Sequence, residues 1–202
     1  MNTVKLSRIN HSLLLLIILI NSYIIVAPLI PIVNFWWENR GGTRAAELHQ
    51  QLHPTKTTAS APSATPVNHP NSVIIPSMLL DQPINEGPVS QTYAVLNKGV
   101  WRWPASSTPD KGSNTVLLGH RFTYTQPQGV LYYLNKVKLN DEIGVWWSNQ
   151  LYTYRVSAIT EVDPSQTTIE DATSDARLTI FTCTPLWLPH DRLVVVAELE
   201  NK

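Results

Sequence analysis

The 202-residue chain contains a single cysteine, Cys183. That scarcity excludes an intrachain disulfide, and one thiol without a clustered set of histidines offers too few ligands for a zinc or redox centre. Neither charge is in surplus: 15 basic and 15 acidic residues give a formal net charge of zero. With no basic stripe, the composition argues against nucleic acid as a partner. No regular ligand spacing runs through the acidic stretch "VDPSQTTIEDATSD", Val162 to Asp175, which therefore reads as a solvated loop in preference to a calcium site. No internal repeat is visible. The lone thiol is left as either an inert buried side chain or a reactive one.

Charge is also missing locally. Ser12 to Val33, "SLLLLIILINSYIIVAPLIPIV", has 22 residues without an ionisable group other than Tyr23. A helix of that length spans about 33 Å, close to the hydrocarbon thickness of a bilayer. The run exceeds the usual apolar core of a signal peptide and no small-x-small site follows it cleanly, which favours a retained anchor over a cleaved leader. Lys5 and Arg8 precede the span and Phe35, Trp36 and Trp37 follow as an interfacial belt, although Arg40 and Arg44 blur the asymmetry. The expected organisation is a cytoplasmic stub over 1–11, a transmembrane anchor over 12–33, a tether over 34–71 and a folded domain over 72–202 outside the cell. The tether is rich in Thr, Ser, Ala and Pro; its first part suits a short helix, and from Pro54 it reads as extended.

The outer domain is punctuated like a β protein. "SVIIP" from Ser72, "TVLLGH" from Thr115, "EIGVWW" from Glu142, "LYTYRVSAITEV" from Leu151, "RLTIFTC" from Arg177 and "RLVVVAEL" from Arg192 are β-branched and aromatic, with turn formers between them. In the Leu151 run Tyr152, Tyr154, Val156 and Ala158 share one face. Only "QGVLYYLNKV" and "TIEDATSDA" read as helical.

Three residues at strand ends have chemistry in common. Cys183 closes one apolar strand, His120 closes another after Gly119, and Arg192 opens the last. Alone, each has an ordinary reading: a buried thiol, a hydrogen-bonded histidine, a solvated arginine beside Asp191. Together they supply a nucleophile, a proton carrier and a fixed cation for an oxyanion. Of the other histidines, His11, His49, His53 and His69 fall at the anchor boundary or in the tether, and His190 in the loop after the cysteine.

Order and spacing join the three. "TIFTC", Thr179 to Cys183, is followed by arginine nine residues on and preceded by "GHR" at Gly119 to Arg121. The chain in this respect resembles the sortase family of cysteine transpeptidases, whose usual "TLxTC" falls on Thr179 to Cys183 with isoleucine in place of leucine. The resemblance extends over about 130 residues, from "SVIIPSMLLDQPI" to the end. It implies a mainly β fold, an eight-stranded barrel with short helices. It also implies a catalytic triad of His120, Cys183 and Arg192, with Thr182, Thr184 and Trp187 bordering the substrate groove. The implied reaction attacks the Thr-Gly carbonyl of an LPxTG-like or LAxTG-like sorting signal and passes the acyl group to an amine, commonly of peptidoglycan, without a cofactor. The short Cys-to-Arg loop is similar to class E, with class C sharing the "TCTP" run. The lid motif of pilin-polymerising class C enzymes is not evident, and Trp187, Pro189 and His190 stand where class E is more basic. A different class of function, a membrane-anchored non-enzymatic β-domain binding cell-wall or partner proteins, would use exposed tryptophans such as Trp101, Trp103 and Trp187.

Overall fold

The computed structural model describes residues 3–53, 68–123, 128–186 and 188–201. Two compact units emerge, Met1–Gly41 and Gly42–Lys202.

The first unit is helical. Helix α1, Thr3–Val26, gives way to a 3-10 turn, Ala27–Leu29, and then to α2, Ile30–Glu38. Pro28 and Pro31 both sit in the first turn of the helix they enter, where a missing N–H costs nothing, and each interrupts the ladder of the segment before it. The expected continuous span over 12–33 is therefore corrected. Among the described residues no single helix is long and apolar enough to cross a membrane. The pair Asn10–Val26 and Ile30–Glu38, bent by 43° at the break, meets the length and composition requirement only jointly. Arg40 lies 5.3 Å from the ring centres of both Trp36 and Trp37.

The second unit opens with α3, Thr43–Leu52, within the stretch expected to be tether. Leu48 and Leu52 recur at helical spacing, and both are buried against Ile74, Trp146 and Leu151 of the sheet. Apolar burial at that spacing docks the helix instead of leaving it solvated. The part of the expected tether over 54–67 lies outside the described residues.

Eight strands then close a barrel: β1 Ser72–Ile75, β2 Leu80–Asn85, β3 Val100–Arg102, β4 Asn114–Leu118, β5 Glu142–Trp147, β6 Gln150–Val162, β7 Arg177–Thr184 and β8 Asp191–Asn201. Their order around the barrel is β1-β2-β3-β4-β7-β8-β6-β5, with β2–β3 and β4–β7 parallel. The eight-stranded, mainly β expectation holds. Interior-facing side chains such as Val73, Val100, Leu117, Ile143, Tyr154, Leu178, Ile180 and Val195 fill the barrel as one apolar cluster.

Two strands escape the sequence pattern for physical reasons. β2 contains Pro83, but Ile84 donates its N–H to Asn71 on the β1 side, so the nitrogen of Pro83 faces the other way. Parallel pairing with β3 starts only at Ile84↔Val100, and no ladder donor is lost. β3 is too short to show a period. In β6 the alternation holds for the buried Tyr152, Tyr154 and Val156. A register shift between Val156 and Ala158 then turns the strand, so Ile159 rather than Ala158 packs on the barrel interior. The two segments read as helical contribute only 3-10 turns, Leu134–Lys136 and Thr167–Glu170, while a short helix, α4 Thr92–Leu96, forms where none was expected.

Candidate active site

Strand register brings the three candidate residues to one rim of the barrel. β7 alternates strictly: Leu178 and Ile180 point inward, so Phe181 and Cys183 point outward. Cys183 pairs directly with Arg192 across the antiparallel β7–β8 ladder, and directly opposed residues project to the same face. On the other flank Leu118 of β4 pairs with Phe181, and His120 lies two residues beyond Leu118, as Cys183 lies two beyond Phe181. Below them on the outer face, Val116, Phe181 and Val194 form a second buried apolar cluster, covered in part by Trp103 and Ile169. The thiol itself is exposed.

The groups differ in their surroundings. His120 is half-buried, and burial lowers its pKa below the ordinary imidazole value, favouring the neutral ring that accepts a proton. Arg192 lies over the ring of Phe181, 4.9 Å from its centre, and donates from Nη1 to Glu170 Oε1 at 3.0 Å. An open cleft of about 490 Å³ adjoins His120, lined also by Gln82, Asn97, Lys98 and Gln128; it lies on the β3 side of β4, and neither Cys183 nor Arg192 lines it.

The turn after β4 folds back tightly on the histidine. Leu131 donates to the His120 carbonyl and Gly129 to that of Arg121, each at 3.0 Å. A Cβ on Gly129 would collide with the His120 carbonyl, and one on Gly119 would overlap Val130. Gly129 needs glycine because backbone passes directly over backbone there, whereas Gly119 makes room for the side chains of Val130 and Leu131.

Thr182 and Thr184 depart from expectation. They are 2% and 3% exposed, on the inner face, and do not border an open groove. Their hydroxyls serve the scaffold: Thr182 donates to the Gly119 carbonyl at 2.8 Å, and Thr184 receives a bond from Arg121 Nη1 at 3.0 Å. The inward turn follows from the two-residue period, since Cys183 between them faces out. Trp187 lies outside the described residues. Trp101 is fully buried, so it presents no binding surface, and Trp103 packs on the outer apolar cluster. His190 is largely exposed and sits 2.9 Å from Asp191. Sequence reasoning missed Glu170, Arg121 and Asn114; only Arg121, inside the quoted "GHR", carried a signal. Among the described residues no group of three or more His, Cys, Asp or Glu side chains is arranged to hold a metal.

A family model described as the sortase domain matches residues 73–200, more than half of the chain, and the chain therefore belongs to the sortase family. Sortase A of Listeria monocytogenes is 29% identical over 131 residues, covering 64% of this chain and 56% of that relative, so the match spans just over half the relative's length. Among solved structures, L. monocytogenes sortase A superposes with a TM-score of 0.55 at 26% identity, covering 65% of this chain and 86% of that one. Sortase C-1 of Actinomyces oris gives 0.57 at 26%, covering 78% and 99%. The lid mutant of Corynebacterium diphtheriae sortase A gives 0.58 at 26%, covering 81% and 82%. These relatives are sortases A and C, and they lend no support to the leaning towards class E.

Proposed function

We propose that the protein is a cysteine transpeptidase acting on surface proteins that carry an LPxTG-like or LAxTG-like sorting signal. The observation that supports this most is the pairing of Cys183 with Arg192 on the outer face, with His120 at the end of the neighbouring parallel strand. In the first step Cys183 gives its proton to His120, the resulting thiolate attacks the Thr-Gly carbonyl, and Arg192 stabilises the oxyanion. The C–N bond breaks as His120 delivers a proton to the leaving amine, giving a thioester. In the second, an incoming amine, such as that of a peptidoglycan precursor, attacks the thioester and surrenders a proton to His120. The thiolate departs as the new amide forms. A neutral His120 is the form the second step needs, and burial favours it. Water in place of the amine would give hydrolysis as a side reaction.

The same reading places the enzyme at the cell membrane with the barrel outside. The bent pair α1–α2 supplies the attachment: Leu13 to Ile20 are all at least half exposed and form an unbroken apolar surface. Protease added outside intact cells should reach the barrel, and the mature chain should keep residues 1–34.

The decisive experiment incubates the purified protein with a panel of signal peptides and traps the acyl-enzyme by mass spectrometry. Cys183→Ala should abolish the adduct and all transfer while the protein stays folded, because the exposed thiol contributes little packing. His120→Ala should be nearly as damaging. Arg192→Lys should lose most activity, since a point charge cannot reproduce the directed donors of the guanidinium. Full transfer by Cys183→Ala on every signal that the parent processes would refute the reading.

A further inference from the structure

We propose that Arg121, Thr182 and Thr184 are positioning residues that fix the approach of His120 to Cys183 from the inner face of the barrel. The inference rests on the transpeptidase reading, and the residues touch no substrate in it. The β4–β7 register ends at Leu118↔Phe181, so His120 lies beyond the part of the ladder that holds the two strands together. The side chains one residue to either side take over. Before the pair, Thr182 Oγ1 donates to the Gly119 carbonyl at 2.8 Å. After it, Arg121 Nη1 donates to Thr184 Oγ1 at 3.0 Å. Each bond joins a direct neighbour of His120 to a direct neighbour of Cys183, and the two brackets enclose the reacting pair between them. Alternation makes this possible: residues 182 and 184 face inward because 183 faces outward.

The second bracket is oriented. Thr184 directs its own proton to Glu161 Oε1 at 3.4 Å, which leaves an oxygen lone pair for the guanidinium. Glu161 also supplies the opposite charge for Arg121. Burial lowers the Arg121 pKa, while Glu161 and Tyr132 act to raise it, so the cation is kept in a confined setting by a partner on β6. Arg121 Nε reaches the Tyr132 carbonyl at 3.4 Å and ties in the turn that folds over His120. A neutral side chain at 121, or a methyl in place of the Thr184 hydroxyl, removes the bracket. Misplacement of a proton carrier by about 1 Å costs on the order of 100-fold in rate.

The test compares Thr184→Val, Thr184→Ser, Thr182→Val and Arg121→Met with the parent. Single-turnover acylation over a range of signal-peptide concentrations separates rate from affinity. The pH profile of Cys183 alkylation by iodoacetamide reads the coupling of thiol and imidazole without any substrate. Thr184→Val and Arg121→Met should each slow the acylation step by about 10- to 100-fold with half-saturation within about twofold, and should shift the alkylation profile. Thr184→Ser should stay within about threefold of the parent because it keeps the hydroxyl, and the Arg121→Met/Thr184→Val double variant should be little worse than either single one. Should Arg121→Met fail to fold, the near-isosteric Thr184→Val carries the test. An effect on half-saturation alone would make these residues contacts of the signal and overturn the proposal. So would a loss of rate that follows the melting temperature while the alkylation profile stays fixed. If the parent forms no thioester with any signal, the transpeptidase reading fails, whereas an unshifted alkylation profile sinks the bracket by itself.

Discussion

Arg192 and Glu170 form an ion pair at 3.0 Å, with side chains only 25% and 17% exposed, so the guanidinium facing the thiol strand is already held by a carboxylate. The other side of the arginine rests on Phe181. Together these contacts fix the plane of the guanidinium, and a partly desolvated, geometrically defined pair is worth more than a surface salt bridge. Glu170→Gln should lower transfer by about 10-fold, on the order of 1.4 kcal/mol, through slower acylation rather than weaker binding of the signal. Glu170→Asp should recover part of it. A variant faster than the parent in single-turnover acylation would show that Glu170 instead restrains the arginine.

Asn114 carries the positioning one layer further out. Its Nδ2 donates to the carbonyls of Ile169 at 3.1 Å and Asp171 at 3.0 Å, the residues on either side of Glu170. Its Oδ1 accepts from Thr179 Oγ1 at 2.8 Å. Asn114→Ala leaves two carbonyls and a buried hydroxyl without this partner and should cost about 2–3 kcal/mol in denaturant unfolding. Its effect on acylation should be non-additive with Glu170→Gln, because both act on the same guanidinium.

The pH dependence of stability should carry the mark of His120. Burial lowers its pKa in the folded state from 6.5, so the unfolded chain binds the proton more readily. The contribution of the neutral ring to stability is present above about pH 6.5 and is lost as the pH falls through the folded value. His120→Gln should flatten melting temperature against pH in that window. Glu142 acts lower down: burial raises its pKa, but the hydrogen bond and charge of His53 and the pairing with Arg155 outweigh burial and hold it below 4.5. Its contribution is present above 4.5 and disappears as the pH falls further, so the two groups separate in one titration of melting temperature.

Much of this was legible along the chain, because strand alternation is local. The six strands with long β-branched runs announced themselves, and so did the strand ends that carry His120, Cys183 and Arg192. What failed was whatever depends on a partner distant in sequence. Thr182 and Thr184 were expected at the groove on the strength of the family resemblance, yet the period of two sends them to the opposite face. Glu170 was one acid among several in a stretch read as a short helix, and only the fold brings it to Arg192. Leu48 and Leu52 were lost in a polar tether because two leucines make a weak amphipathic signal until the sheet that covers them is known.

That docking gives the last prediction. Leu52 packs directly over Gly144 of β5, where a Cβ would overlap Leu52 Cδ2, so the crowding at that glycine comes from the approach of α3 and not from the backbone conformation. The contact is reinforced at its edge, where His53 Nε2 and Glu142 Oε2 are 2.7 Å apart. Leu48→Ala, at a position with no exposure, should cost about 2.7–5 kcal/mol in unfolding free energy, or detach the helix at a smaller cost. Gly144→Ala pushes on the flexible end of one leucine and should cost about 1–3 kcal/mol as overpacking. Leu52→Ala removes the obstructing atoms and leaves a cavity that the new methyl partly fills. The double variant Gly144→Ala/Leu52→Ala should therefore be more stable than the sum of the two single losses predicts, by about 0.5–2 kcal/mol in denaturant unfolding. Strict additivity would mean that α3 does not rest on β5 in solution, and that residues 43–52 belong to the tether after all.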